Sequence, residues 1–400
     1  MKTVEESTPP DMATAIFVIR RLYQESISCS ISRLPKMYRY LYVSHGRSGG
    51  GNTRTDLDAI ASVALFWRGA LNKGLVRGED FEVDFLDYYE NGLDRLLRYR
   101  DVSAFVADVP PEALARPGMP ETTEHLLATL LRLRDQNVSV NFVDHHPLSA
   151  MTSRLFHGFV REGLMESAIL SEMDAEADRV RLIEDKFCAA EMSLALLQNR
   201  FLVTPDEEML RIARFARDQD FGIRLIPEAN RISTVIGADF NPIAMAEHLA
   251  HGRFWCDELD AICRAQEARI RRSISSLQFD WREWRLRSGR SIPVVYALLP
   301  PDDSLRVTVA GIHCLEERGA RVAVIVHRHP FISIRMDREE SELHAGRMLT
   351  PLGGGGHRGA ASAGGRGKSF PYREANESNF HDVVQRIDNH LRSSAPESFA

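Results

Sequence analysis

The sequence predicts an α/β fold with a parallel-sheet domain, a helical connector and a smaller α/β domain. From Tyr38 onward, short apolar runs alternate with stretches of helical periodicity, which is the pattern of βαβ units around a parallel sheet. Acidic and imidazole residues follow the ends of these runs, where open α/β sheets bind their ligands. A second strand-rich region ends in the glycine run Gly353–Gly356, so the 400 residues are expected to form two domains.

The first domain is expected over residues 39–250, after an N-terminal extension, residues 1–38, in which residues 13–23 have helical spacing. Short apolar runs between polar or glycine-rich segments predict its strands. These strands are Tyr40–Ser44, Phe81–Leu86, Ala104–Val109 and Val138–Val143. Apolar residues spaced three and four positions apart predict its helices. These helices are Asp58–Ala70, Leu126–Arg134, Ala189–Leu197 and Glu207–Arg217.

A charged helix over about residues 254–277 predicts the helical connector, to which we assign residues 251–289. The second domain is expected over residues 290–396, because apolar runs and turn residues alternate again there. Its predicted strands are Ile292–Leu298, Arg306–Val309, Arg321–Val326 and Phe331–Arg335, and its predicted C-terminal helix is Phe380–Leu391.

The composition narrows the class of protein. The formal net charge of −6 argues against a general nucleic-acid coat, because bulk binding to phosphates needs a basic surface. The 5 cysteines show no CxxC spacing, and an odd number of scattered thiols fits a reducing compartment better than a disulfide framework. No apolar run approaches the roughly 18 residues that span a membrane, and we recognise no signal peptide. We therefore expect a cytoplasmic protein that does not contact membranes.

Four clusters of acidic and imidazole residues follow predicted elements, three of them after strands and one after a helix. They are Asp56-Leu57-Asp58, Asp108, Asp144-His145-His146 and Asp218-Gln219-Asp220. Carboxylate oxygens mixed with imidazole nitrogens suit Mn²⁺, Mg²⁺ or Co²⁺ better than a thiolate-rich zinc site does. Two such ions about 3.5–4 Å apart can bridge a phosphate and stabilise both the attacking and the leaving oxygens.

The clusters, in this order, resemble the motifs of the DHH phosphoesterases. Asp144-His145-His146 resembles the signature that names the family, and residues 55–62, TDLDAIAS, resemble its first motif. Asp108 resembles the second motif, and Asp218 or Asp220 the fourth. Residues 352–361, LGGGGHRGAA, resemble the glycine-rich loop of the associated DHHA1 domain, so the resemblance covers about residues 39–366.

The resemblance implies a role for each of these side chains. Asp56 and Asp108 would hold one metal ion, preferably Mn²⁺. The second ion would be held by Asp58, Asp108, His145 and Asp218, with Asp108 bridging the two ions and Asp220 as the alternative fourth ligand. Asp144 would orient the ring of His145, and His146 would face the substrate phosphate. The implied catalytic group is Asp58, Asp108, His145 and His146.

The sequence departs from the family pattern at one position. The family usually carries a histidine four residues before the first DxD aspartate, and this chain has Asn52 there. Asn52 could serve an active site, since the eukaryotic exopolyphosphatase and prune branch also has asparagine at this place. Alternatively, the glycine-rich loop folds back and His45 supplies the ligand, or the affinity of the site for metal is reduced. We favour an active site with Asn52 nearby.

The C-terminal glycine run predicts a site for the substrate phosphate. Glycines let the backbone approach an anion closely, and the N–H groups of Gly354, Gly355 and Gly356 could form an anion nest. His357 and Arg358 would add hydrogen-bond donors. Arg335 lies on a predicted strand where the family carries a substrate-binding arginine.

These features predict a hydrolase with two Mn²⁺ ions, or Mg²⁺ or Co²⁺ in their place, that cleaves phosphodiester or phosphoanhydride bonds. The expected substrate is a nucleotide or short oligonucleotide, although Asn52 points towards polyphosphate. A nucleotide-binding sensor with a degenerate catalytic site and a purely structural interaction protein are the alternatives from other classes. A long single-strand nuclease is disfavoured, because the chain shows no extended basic stripe. The sequence leaves the oligomeric state open, with a homodimer as one option.

Overall fold

The computed structural model describes most of the chain. The described residues are 36–37, 39–46, 55–87, 92–115, 120–146, 150–170, 187–300, 305–337, 339–356, 358–364, 370–395 and 398–399. The predicted helix over residues 13–23, Asn52 and His357 therefore lie outside the described residues.

The first unit is a parallel α/β unit. Its strands are β1 (Lys36–Met37), β2 (Tyr40–His45), β3 (Phe81–Leu86), β4 (Tyr99–Arg100), β5 (Val102–Ala107), β6 (Val138–Asp144) and β7 (Ser167–Leu170). Its helices are α1 (Leu57–Asn72), α2 (Pro111–Leu114), α3 (Pro120–Asp135), α4 (Ala150–Arg161), α5 (Ala189–Phe201), α6 (Glu207–Asp220), α7 (Pro227–Ile236) and α8 (Pro242–Ala250). The short strands β1 and β4 pair only with each other among the described residues.

The main sheet of this unit has five strands in the order β3-β2-β5-β6-β7, and every neighbouring pair is parallel. In sequence order, β2 is the first strand of this sheet. The next strand, β3, pairs along one edge of β2, and β5 pairs along its other edge. The order therefore reverses between β2 and β5. In open α/β sheets such a switch point leaves a crevice at the carboxyl ends of the two strands, where ligands bind.

Helices cover both faces of the sheet, so its strands are apolar on both sides. Along β2, Tyr42 faces a core shared with α1, α5, α6, α7 and α8. Leu41 and Val43 face the opposite core, which α3 and α4 complete. This alternation explains why the strands read as continuous apolar runs in the sequence, as buried parallel strands do. The helix α1 lies almost wholly inside the first core, with Phe66 stacked on Tyr42 at 4.9 Å between ring centroids.

The helix α9 (Asp257–Ser275) connects this unit to the second one. The strands of the second unit are β8 (Gln278–Arg285), β9 (Ser291–Leu298), β10 (Val322–Val326), β11 (Phe331–Met336), β12 (Gly355–Gly356) and β13 (Ala360–Gly364). Its helices are α10 (Val307–Ile312), which continues as a π-helical turn over His313–Glu317, α11 (Ala345–Leu349) and α12 (Phe380–Ser394).

The second sheet is mixed and has the order β12-β13-β11-β10-β9-β8. Only β9 and β10 pair in parallel, whereas the other neighbours are antiparallel. One face packs against α11 and α12, and the other face packs against α10 and the end of α9. Together with the parallel sheet of the first unit and the connecting helix, this arrangement confirms the predicted α/β fold class.

Two predicted elements are corrected by the structure. Residues 306–309 were expected to form a strand, but Val307–Ile312 form α10. The reason is topological, because the parallel pairing of β9 with β10 requires a crossover, and α10 supplies it. Residues 278–285, which we expected inside the helical connector, form the edge strand β8 instead. Among the described residues, no helix combines the length and apolar character needed to cross a membrane.

Candidate metal centre

The switch point between β2 and β5 opens into a crevice lined by acidic and imidazole side chains. The ladder between the two strands ends at the pair Val43 and Val106. Beyond it, the Ser44 hydroxyl donates to the carbonyl oxygen of Ala107 at 2.7 Å and holds the diverging strands together. Next along β2 comes His45, whose Nε2 lies 3.2 Å from Oδ2 of Asp108. The fold thus brings together two residues that are 63 positions apart in the sequence.

Asp108 is held in a strained and buried position. Its backbone N–H still donates to the carbonyl of Val143 on β6 at 2.9 Å, but its φ of 56° lies in the left-handed region. Such a conformation costs about 1–3 kcal/mol and is concentrated at functional sites. The residue is 1% exposed, and neither carboxylate oxygen accepts a hydrogen bond within the described part of the chain. Buried carboxylate oxygens without hydrogen-bond donors are well suited to bind a cation.

The first group of donor atoms contains His45, Asp56 and Asp108. Nε2 of His45 lies 3.4 Å from Oδ2 of Asp56, whose side chain is 60% exposed towards the solvent. Asp56 also caps α1, since its carboxylate accepts from the backbone N–H of Ala59 at 3.0 Å. Gly46, which follows His45, is closely packed: it has φ 151°, and a Cβ there would lie 2.8 Å from Oγ1 of Thr55. The structure therefore brings His45 into the site, which agrees with the alternative that His45 takes the place of the family's usual histidine.

The second group contains Asp58, His145 and Asp220. Nε2 of His145 lies 3.6 Å from Oδ2 of Asp58, and its Nδ1 lies 3.7 Å from Oδ2 of Asp220. Asp58 is fixed because its two oxygens accept from the first backbone N–H groups of α5, those of Ala189 at 2.8 Å and Ala190 at 2.9 Å. The partial positive charge of a helix N-terminus favours a carboxylate at this place.

Asp108 lies between the two groups. Its Oδ2 faces His45, while its Oδ1 lies 3.5 Å from Nε2 of His145. Within each group, one donor atom per residue lies within 4.8 Å of the others, and Asp108 with His145 and His146 satisfies the same limit. The buried acidic and imidazole groups could therefore hold metal ions, with one oxygen of Asp108 directed to each side.

The electrostatics of the cluster also fit a cation. Burial and the charge of Asp108 raise the pKa of Asp58 well above its usual range. Burial, supported by the nearby carboxylates, raises the pKa of Asp220 to about 6. Burial opposes protonation of His45, but the charges of Asp56 and Asp108 still raise its pKa well above the usual value. Burial also opposes the ionisation of Asp56 and Asp108, but the neighbouring histidines lower the pKa of both carboxyl groups. A divalent cation would relieve the repulsion that raises the pKa values of Asp58 and Asp220.

Asp144 and His146 form a fixed pair beside the cluster. The Asp144 carboxylate is fully buried and accepts from the backbone N–H of His146 at 2.9 Å. Its second oxygen lies 3.0 Å from Nδ1 of His146. We expected Asp144 to orient the ring of His145, and the structure corrects this: Asp144 orients His146. The reason is local, because the chain turns immediately after β6 and directs the second histidine back over the carboxylate.

Asp218 and Asp220 have different surroundings. Asp218, our first choice for the fourth ligand, is in none of the three donor groups. Its oxygens accept from the backbone N–H groups of Leu225 at 2.9 Å and Ile226 at 3.4 Å, so it shapes the loop that follows α6. Asp220, the alternative, faces His145. Since α6 continues through Asp220, the two side chains point to different sides of one helix.

The glycine run is less open than the sequence suggested. The backbone N–H groups of Gly353 and Gly354 donate to carbonyls of the preceding turn at 2.9 and 3.0 Å. Gly355 and Gly356 form β12 beside β13. An anion nest built from all these N–H groups is therefore not formed, because the run is used to reverse the chain. A Cβ at Gly355 would meet nothing within 4 Å, which leaves room beside this residue for a ligand.

The two predicted substrate arginines also differ. Arg358 donates to the backbone carbonyls of Leu343 and Ser341, so it braces the loop before α11. Arg335 is half-buried on β11, and its guanidinium donates to the carbonyl of Ile334 at 2.9 Å and to Oγ1 of Thr308 at 3.4 Å. The hydrogen bonds of the Arg335 guanidinium within the described residues are thus made to neutral acceptors.

The sequence interpretation missed Arg306. This residue precedes α10 in the second unit, and its Nη2 donates to the carbonyl of Ile236, at the end of α7 in the first unit, at 3.2 Å. Nothing in the local pattern indicated the contact, because we expected residues 306–309 to form a strand.

The fold and this cluster define an α/β protein with a candidate centre for two metal ions at its switch point. No protein-family model and no curated protein matches the chain. Among solved structures, an exopolyphosphatase-related protein from Bacteroides fragilis is similar over 96% of this chain and 97% of its own, with 12% identity and a TM-score of 0.47. A pGpG-specific phosphodiesterase from Vibrio cholerae is similar over 89% of this chain and 100% of its own, with 10% identity and a TM-score of 0.46. Similarity at this level assigns no activity, so the functional argument depends on the site.

Proposed function

We propose that this protein is a two-metal-ion hydrolase of phosphodiester or phosphoanhydride bonds in nucleotides or short oligonucleotides. The observation that carries the proposal is the position of Asp108. Its two buried oxygens face separate groups of donor atoms, 3.2 Å from His45 on one side and 3.5 Å from His145 on the other. A carboxylate so placed can bridge two ions, which is the arrangement that two-metal phosphoesterases require.

The side chains divide between the two ions as follows. One ion would be held by His45, Asp56 and Asp108. The other would be held by Asp58, Asp108, His145 and Asp220. The donors are hard oxygens and imidazole nitrogens, which favours Mn²⁺ and accommodates Mg²⁺ or Co²⁺. When bound, the two ions would supply Lewis-acid stabilisation of the phosphate and an activated water.

The chain itself contributes orientation and hydrogen bonding. The N-terminus of α5 fixes Asp58, so this ligand does not have to be ordered when metal binds. Asp144 fixes the ring of His146 through Nδ1 and favours its protonated form. His146 is then placed to donate a hydrogen bond to a phosphate oxygen beside the ions. The buried surroundings of Asp108 and His145 exclude water from the far side of the centre.

The proposal is tested by measuring release of phosphate or mononucleotide with Mn²⁺ present. The panel holds di-adenylate, a five-nucleotide RNA, 3′-phosphoadenosine 5′-phosphate, cyclic di-AMP and polyphosphate. His145→Ala removes a ligand, and His381→Ala is the matched control, since His381 is exposed and contacts Asp280 on the surface of the second unit. We expect release that is lost in the first variant and kept in the second.

Three other results would change or contradict the proposed function. Cleavage of polyphosphate alone would replace nucleotides as the substrate class. Nucleotide binding without any release would contradict the enzyme and identify a sensor with a degenerate site. Equal activity in His145→Ala and wild type would contradict the assignment of this centre.

A further inference from the structure

Arg306 takes part in the ends of two helices, one in each unit. In the second unit, its backbone carbonyl accepts from the N–H of Ala310 at 3.0 Å, so Arg306 is the residue at which α10 starts. In the first unit, its side-chain Nη2 donates to the carbonyl of Ile236, the last residue of α7, at 3.2 Å. A cation is favourable at the C-terminus of a helix, where the last carbonyl groups lack partners inside the helix. Arg306 therefore joins a helix end of the first unit to a helix start of the second.

The first unit is shaped to receive this side chain. Gly237 follows α7, and a Cβ there would lie 3.4 Å from Nε of Arg306 and 3.1 Å from the carbonyl of Thr234. The lack of a side chain at Gly237 lets the guanidinium lie directly against the helix end. Burial lowers the pKa of Arg306, while the carboxylates of Asp56 and Asp239 act in the opposite sense. The first unit thus supplies the acceptor and the negative charge that favour a half-buried guanidinium.

The helix that Arg306 begins also sets the position of Arg335 on β11. Nη2 of Arg335 donates to Oγ1 of Thr308 on α10 at 3.4 Å. A Cβ at Gly311 would lie 2.6 Å from Cγ of Arg335, so the stem of this side chain lies against the same helix. Burial and the positive charge of Arg224, in the loop that follows α6, lower the pKa of Arg335 to about 10. A displacement of α10 would therefore move β11 relative to the first unit, which carries the metal centre.

We propose that Arg306 is a positioning residue, which docks the second unit on the first and so holds α10 and β11 at a fixed place relative to the metal centre. It acts through the end of α7 and the start of α10. The inference rests on the proposed function, because its catalytic consequence needs a reaction at the metal centre. A displacement of about 1 Å can lower the rate of an oriented substrate by up to about 100-fold. Dinucleotides that reach both units should therefore depend on Arg306, whereas small esters held by the metal centre should not.

The first test measures the docking directly, without metal or turnover. Spin labels are attached at Arg161→Cys on α4 and His381→Cys on α12, whose native side chains are 67% and 74% exposed, in a protein with Cys29 and Cys256 replaced by serine. Pulsed electron paramagnetic resonance in EDTA gives the distribution of distances between the two labels. We expect one narrow distribution in the labelled parent and a second, displaced population after Arg306→Ala, because losing a hydrogen bond from a charged group shifts an equilibrium by about tenfold or more. Arg306→Lys should remove part of that population, because it keeps the charge without the planar fork.

The second test compares two substrates in the presence of Mn²⁺. Arg306→Ala should lower kcat/KM for di-adenylate about tenfold or more, whereas kcat/KM for bis(p-nitrophenyl) phosphate should stay within about twofold of wild type. Gly237→Ala should cause a loss of the same kind, because its Cβ would displace the guanidinium. The double variant should lose no more than the more impaired single variant, since both changes act on one contact. Arg264→Ala is the matched control and should leave both substrates unaffected, since Arg264 is 72% exposed and pairs with Asp260 on the surface of α9.

The two tests separate this inference from the proposed hydrolase. A second distance population in Arg306→Ala would support the docking role even if no substrate were hydrolysed, and that failure would contradict only the hydrolase. An unchanged distance distribution would overturn the docking role even if the hydrolase were established. Equal losses of kcat/KM for the two substrates would overturn it as well, because they would show that Arg306 supports the metal centre or the fold as a whole. Additive losses in the double variant would show that Gly237 and Arg306 act separately and would also overturn it.

Discussion

Replacing Asp220 with asparagine should stabilise the metal-free protein while it weakens metal binding. Asp220 is 20% exposed beside His145, and burial with its carboxylate neighbours raises its pKa from 3.8 to about 6. The difference of about two pKa units is equivalent to about 3 kcal/mol at 1.36 kcal/mol per unit. Because the neighbouring carboxylates share this repulsion and part of the group is exposed, we expect roughly 1–2 kcal/mol from the substitution.

The sign follows from linkage. A carboxyl group whose pKa is higher in the folded state favours folding below its unfolded pKa of 3.8, and this contribution is lost as the pH rises through about 6. At pH 7 and in EDTA, Asp220→Asn should therefore raise the midpoint of thermal unfolding by a few degrees. The difference in midpoint between Asp220→Asn and wild type should shrink as the pH falls below about 6, because the wild-type carboxyl group then takes up a proton.

Asp218→Asn is the matched comparison, two residues earlier on the same helix. One amide nitrogen would replace an oxygen that accepts from a backbone N–H group of Leu225 or Ile226, so we expect a loss of about 1–3 kcal/mol. Calorimetric titration with Mn²⁺ should show weaker binding in Asp220→Asn and unchanged binding in Asp218→Asn. The opposite pattern, with Asp218→Asn losing the metal and Asp220→Asn losing stability in EDTA, would refute the reasoning.

Three further predictions concern single positions. His45→Ala should lower the affinity for Mn²⁺ at least about tenfold in calorimetry, because the variant lacks a proposed ligand. Unchanged affinity would contradict this role and would favour Asn52 as the ligand instead. Gly354→Ala should lower the midpoint of thermal unfolding, since a Cβ there would lie 2.5 Å from the carbonyl of Ser362, whereas Gly355→Ala, with nothing within 4 Å, should be tolerated. Asp388→Ala should lower the free energy of unfolding, measured with denaturant, by about 2–4 kcal/mol, because this buried carboxylate accepts hydrogen bonds from an indole at 2.6 Å and a phenol at 2.8 Å. A loss below about 0.5 kcal/mol would contradict that account.

The sequence was sufficient to predict most strands of the first sheet, but it was insufficient to predict parts of the second unit. Buried parallel strands are apolar on both faces, so their runs are recognisable without knowledge of their neighbours. The edge strand β8 carries charged residues on both sides of its tryptophans, as exposed edges commonly do, and this hid it within the connector. Val307–Ile312 begins with β-branched residues that favour strands, but the parallel pairing of β9 with β10 requires a helix there.

The candidate site shows a similar division. The sequence motifs indicated which regions meet, and the structure brings Asp56, Asp58, Asp108 and His145 together. The motifs could not choose between Asp218 and Asp220, because that choice depends on how far α6 continues and on which side of it faces the crevice. They also could not reveal Arg306, whose contact with Ile236 depends on the packing of one unit against the other.

The strongest support for metal at this centre is that several unfavourable features coincide there. Asp108 has a left-handed backbone and two buried oxygens that accept no hydrogen bond within the described chain. The pKa values of Asp58, which is buried, and of Asp220, which is partly exposed, are both raised. Each of these features alone is a local cost, which the hydrogen bonds from the N-terminus of α5 to Asp58 offset only in part. A pair of divalent cations between the two donor groups would relieve the electrostatic costs together, because the cations would neutralise the repulsion among the carboxylates and bind the oxygens of Asp108. The strand order explains the location, because the reversal between β2 and β5 is the place in this sheet where the chain leaves a crevice for such ions.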